Sequence, residues 1–98
     1  PLDVCVYPGH GDKTTIGFKY FEFKDVHKIT IKTRGYIYGS FEVMNKWNGE
    51  VLGKIELTDS SNFWEEHSAS IDFKDGVNAL YLKFTGSGTG QLKSISFN

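Results

Sequence analysis

"GVNALYLKFTGSGTG", residues 76–90, holds the reading that decides the fold. From Ala79 to Phe84 apolar residues fall at every second position. That period puts Leu80, Leu82 and Phe84 on one face of an extended strand. The run then breaks into Gly86, Gly88 and Gly90. Three functions suit such a glycine segment: a phosphate cradle, a flexible tail, or the rim of a binding site on a β-sandwich. The cradle fails on context. No Lys-Ser or Lys-Thr directly follows the last glycine, since Gln91 and Leu92 come before Lys93-Ser94, and no helix opens, so neither the Walker nor the dinucleotide fingerprint is met.

The same two-residue period recurs outward along the chain. "VCVY" (4–7) is β-branched and aromatic. "FKYFEF" (18–23) is aromatic at nearly every second position. "KITIKT" (28–33) alternates strictly, with Ile29 and Ile31 on one side. "SFEVM" (40–44) groups Phe41 with Val43. "VLGKIEL" (51–57) follows Asn48-Gly49, a strong hairpin signal. "HSASIDF" (67–73) aligns Ala69, Ile71 and Phe73, and "KSISF" (93–97) aligns Ile95 and Phe97. No helical period, internal repeat or linker interrupts them. The fold class expected is all-β: an antiparallel β-sandwich or jelly roll of about eight strands.

The chain has 98 residues, which reads as a single module spanning 1–98 with a modest core. Its net charge of −1 offers no basic field for nucleic acid. No apolar run has the length of a membrane span. The single cysteine, Cys5, has no internal partner and reads as a buried thiol on a strand.

If successive strands alternate in direction, their connections gather at two ends. One end then collects 8–17, 34–39, 58–64 and 85–91, bringing His10, Tyr36, Tyr38, Phe63 and Trp64 together with glycines and short polar residues. The other end is plain turn chemistry except for Trp47, a hairpin aromatic laid on its neighbouring strand or on another domain, or else a second sugar contact. Loops held by rigid sheets commonly carry function. Aromatic faces beside hydroxyl and amide groups suit sugars: a pyranose lays its axial C–H patch on a π-face and offers its hydroxyls sideways.

Other chemistries find less support. His10, His27 and His67 lie far apart, with no His-x-His or Cys-x-x-Cys pair, and read as surface or rim residues. No Gly-x-Ser-x-Gly elbow exists. Glu65 and Glu66 are adjacent, and on a strand adjacent side chains point to opposite faces. Paired glycosidase carboxylates must instead flank one bond across a shared cleft. The expectation is a protein that is not an enzyme.

The segments "IGFKYFEF" (16–23), "NGEVLGKIEL" (48–57), "FWEEHSASIDF" (63–73) and "DGVNALYLKFTGSGTGQLKSISF" (75–97) also occur in a familiar order. Over about residues 12 to 98 the chain resembles family 6 carbohydrate-binding modules. It looks most like those at the C-terminus of family 43 glycoside hydrolases. That resemblance implies a jelly roll that binds polysaccharide between two aromatic rings in a cleft at one end. Trp64 matches one ring, and Tyr7 and His10 are the candidates for its partner. Gln91 or Ser94 stands where the family usually has Asn in its last glycine-rich loop. The family's structural calcium finds only Asp3 near the N-terminus and no acid on the last strand. No cofactor is therefore expected beyond such a calcium, whose ligands cannot be named. The chain is also shorter than the resemblance implies, which leaves room for a missing N-terminal strand.

The function expected is a non-catalytic module for a plant cell-wall polysaccharide, either xylan or arabinoxylan, or β-glucan. Its alternative is an accessory sandwich that packs on a glycoside hydrolase domain and binds no sugar. The partners are then a polysaccharide or oligosaccharide and a tethered catalytic domain, with no nucleic acid and no membrane. A secreted location follows from the polymer substrate alone.

Overall fold

The computed structural model describes residues 4–6, 13–57 and 61–98. Among these residues six strands run in chain order: β1 (Val4–Val6), β2 (Lys13–Phe23), β3 (Lys28–Met44), β4 (Gly53–Leu57), β5 (Ser61–Ser70) and β6 (Gly76–Phe97). Every pairing among them is antiparallel. The described residues contain no helix.

β3 and β6 form the backbone of the fold. They pair from Ile29↔Phe97 to Met44↔Tyr81. At ~3.3 Å per residue, 17 straight residues of β3 would span about 53 Å, yet the molecule's longest extent is 35 Å. The ribbon must therefore fold over on itself, and its glycines mark the corner. Gly35, Gly39, Gly86 and Gly88 all have positive φ. Gly39 and Gly86 are register partners. A Cβ on Gly39 would sit 2.0 Å from the Thr85 carbonyl oxygen, and one on Gly86 would sit 1.9 Å from that of Tyr38. Two backbones approach here too closely for any side chain.

On either side of the corner each half of the ribbon gains its own flanking strands. One layer runs β5–β3–β6–β1, using residues 28–35 of β3 and the last part of β6. The other runs β4–β3–β6–β2, using residues 39–43 of β3 and the first part of β6. Counted by layer, β3 and β6 each serve twice, giving eight strand segments. The antiparallel sandwich of about eight strands expected from the sequence is what the chain forms.

Two connections expected at one end of the sandwich are corrected here. Residues 34–39 and 85–91 are not loops. They are the corner itself, paired across from Arg34↔Gln91 to Gly39↔Gly86 and on to Ser40↔Thr85. Alternation is broken in the sequence there because glycine serves the bend, not because pairing stops. The hairpin signal at Asn48-Gly49 holds: Asn48 has φ 52°, and the Gly49 amide donates to the Lys46 carbonyl at 3.0 Å.

The core lies between the layers. Ile29, Ile31 and Leu92 from one face Phe41, Val43, Ile55, Leu80, Leu82 and Phe84 from the other. β2 joins through a register shift between Phe18 and Phe21. That irregularity turns Tyr20 out to solvent while Phe18, Phe21 and Phe23 all pack on the core. Phe21, Phe23, Phe73 and Phe97 then close the end away from the corner, with ring centroids 4.6 to 6.1 Å apart.

Candidate functional site

Ile29, Ile31 and Thr33 face the core, so Lys28, Thr30, Lys32 and Arg34 stand on the outer face of the first layer. The hydrogen bond between the Thr30 and Ser68 hydroxyls, 2.9 Å, fixes the matching outer side of β5. Ser94 is the partner of Lys32, and Gln91 the partner of Arg34.

Two irregularities converge on this face. β5 pairs Glu65 with Thr33 and Ser61 with Gly35, so three residues, 62–64, lie opposite Arg34 alone. β6 pairs Ser94 with Lys32 and Leu92 with Thr33, leaving Lys93 as the extra residue. Bulges re-aim side chains, and both flank the same four residues of β3, 32–35. The result is a close group of three. The Arg34 guanidinium carbon lies 4.7 Å from the centroid of the Trp64 ring. Its Nη2 donates to Gln91 Oε1 at 2.5 Å. Trp64 and Gln91 are each half-buried and Arg34 is exposed. Phe63, next on the bulge, is 78% exposed.

The structure thus brings together Trp64 and Gln91 of the residues singled out from sequence. Ser94 shares their face one pair further along. Tyr36 lies two residues past Arg34 at the corner, with about half its surface exposed. Trp64 is on a strand, not in the loop 58–64, because β5 begins at Ser61. Tyr7 and His10, the candidates for the second ring, lie outside the described residues. Arg34 was not anticipated. It is the only arginine in the chain and directly precedes Gly35, a composition signal that could have drawn attention to it.

Glu65 and Glu66 pair with core-facing Thr33 and outward Lys32, so they stand on opposite faces of the sheet. His67 is half-buried: it pairs with Ile31 on the core side, and its Nε2 is buried. Among the described residues no three His, Cys, Asp or Glu side chains gather closely enough to hold a metal ion. Asp3, the one acid the sequence offers near the N-terminus for the calcium that the resemblance implies, lies outside the described residues.

A second aromatic surface lies on the outside of the other layer. Trp47, 61% exposed, meets Tyr81 edge-on at 6.1 Å. Tyr81 lies over Gly17, where a Cβ would come within 2.8 Å of its ring. A shallow pocket beside it is lined by Gly17, Phe18, Tyr20, Ala79 and Tyr81. The sequence placed Trp47 on a neighbouring strand or another domain, and it packs on β6.

No family model matches the chain. It is 53% identical over 85 residues to a xylosidase/arabinosidase of Thermoclostridium stercorarium. The match takes in 87% of this chain but about a fifth of that protein's length (18%), in its C-terminal part. Among solved structures it is similar to CsCBM6-3 from Clostridium stercorarium, described in complex with cellobiose. The TM-score is 0.74 at 23% identity, covering 86% of this chain and 66% of that one. The folded-over ribbon and its two four-stranded layers are therefore the fold of a family 6 carbohydrate-binding module, carried by a chain similar to the C-terminal part of a xylosidase/arabinosidase.

Proposed function

We propose that the chain is a non-catalytic module that binds a plant cell-wall polysaccharide, xylan or arabinoxylan ahead of β-glucan. One observation carries the reading: a half-buried tryptophan on an open sheet face, set by two bulges beside the amide of Gln91. In this reading a sugar ring stacks on Trp64, while Gln91 and Ser94 take hydroxyl hydrogen bonds. Tyr36 widens the aromatic edge, and Tyr7 or His10 supplies the second ring. The similar xylosidase/arabinosidase and the cellobiose complex of the similar fold both support a glycan ligand. Tethered to a glycoside hydrolase domain, such a module raises the enzyme's effective concentration on its polymer. A polymeric substrate of this kind implies a secreted protein.

The test is intrinsic fluorescence titrated with soluble xylan, arabinoxylan and mixed-linkage β-glucan. Trp47→Phe serves as background, leaving Trp64 as the reporter, and Trp64→Ala as the comparison. A saturable change that Trp64→Ala abolishes is expected. A folded Trp47→Phe protein that responds to none of the three glycans contradicts the proposal.

A second reading rests on the other face. Trp47, Tyr20 and Tyr81 expose aromatic surface on the layer opposite Trp64, which favours an accessory sandwich packed on a catalytic domain. Under that reading Trp47→Ala weakens association with the hydrolase domain and Trp64→Ala changes nothing.

A further inference from the structure

Arg34 is the only arginine in a chain whose other cationic side chains, histidines aside, are all lysines. It is held on both sides. The indole of Trp64 supports its guanidinium plane and the Gln91 amide accepts one of its hydrogen bonds. Among the described residues no carboxylate pairs with it. Guanidinium presents five N–H donors in a rigid fork, and the contact to Gln91 uses one. The surrounding face is cationic although the chain carries net charge −1. Lys28, Lys32 and Arg34 stand outward from β3, against Glu66 alone from the described part of β5.

A neutral sugar needs none of this. Its hydroxyls are served as well by an amide or a serine, and a lysine would be the commoner surface cation. A planar fork already held over the Trp64 ring fits a planar anion, which it grips with two parallel hydrogen bonds and little further loss of rotamer freedom. We infer that Arg34 makes this a site for an acidic glycan, one in which a uronic acid carboxylate lies next to the sugar stacked on Trp64. The inference rests on the sugar-binding reading of Trp64 and names the substrate class within it. Lys32, two residues back on the same face, adds long-range attraction without geometric selection.

The test compares a neutral xylo-oligosaccharide with the same oligosaccharide bearing one glucuronic acid. Both are titrated calorimetrically into the wild-type chain, Arg34→Gln and Arg34→Lys at low and high salt. The wild type is expected to prefer the acidic ligand by about tenfold, a charge-assisted pair discounted for exposure. The preference should shrink as salt rises. Arg34→Gln should bind both ligands alike, and Arg34→Lys should keep part of the preference. Circular dichroism checks that both variants fold. Equal wild-type affinity for the two ligands overturns the inference while leaving the sugar site standing. So does an Arg34→Gln variant that tightens on both ligands equally, since the guanidinium would then be a cover over the indole. A wild type that binds neither ligand removes the sugar site and the inference together.

Discussion

Replacing Gly86 with alanine tests the corner that makes a sandwich out of one long ribbon. Two costs add. Gly86 has φ 152°, where an L side chain is strained, at about 1–2 kcal/mol. The new Cβ would also stand 1.9 Å from the Tyr38 carbonyl oxygen, so one backbone must retreat by more than 1 Å. Overpacking of that kind costs about 1–3 kcal/mol. Gly76→Ala isolates the first cost, because Gly76 has φ 114° and nothing within 4 Å of its would-be Cβ. Gly76→Ala should therefore lose about 1–2 kcal/mol and Gly86→Ala about 2–5 kcal/mol, against a total stability of about 5–15 kcal/mol. At ~4–8 °C per kcal/mol, the second variant should melt at least about 8 °C below wild type. Urea unfolding followed by far-UV circular dichroism measures both. If Gly86→Ala proves no less stable than Gly76→Ala, the two strands do not approach closely at the corner and the reasoning fails.

Phe41→Ala removes a fully buried ring set edge-on to Phe84 at 5.4 Å, and should lower unfolding free energy by about 3–5 kcal/mol in urea. Asn48→Ala places a Cβ-bearing residue without the local polar contacts of asparagine at φ 52°, and thermal melts should show a loss of about 1 kcal/mol. Trp47→Ala deletes an exposed ring that touches Tyr81, so stability should fall by no more than about 1 kcal/mol. Glycan titration of the same variant should be unchanged if Trp64 carries the sugar.

The period-two pattern located all eight strand segments, because a strand buried on one face must alternate. Ile29 and Ile31, Phe41 and Val43, and Leu80, Leu82 and Phe84 are buried where that alternation put them. It could not reveal that four of those segments belong to two continuous strands. A glycine run reads the same in sequence whether it is a loop or a bent, fully paired corner. Only the ladder from Arg34↔Gln91 to Gly39↔Gly86 decides between them. Trp64 was legible from its residue type and from the resemblance, and Gln91 from the resemblance alone. The place of Arg34 beside them was not legible, since it lies 30 residues before Trp64 and 57 before Gln91. Register brings the three together, and the two bulges that aim them are extra residues whose meaning appears only once the partner strand is in place. Composition and alternation specify which faces are buried, because burial is a property of each strand's own side chains. Which side chains meet on an outer face depends on strand order and on one-residue shifts in pairing, and those are properties of the assembled sheet.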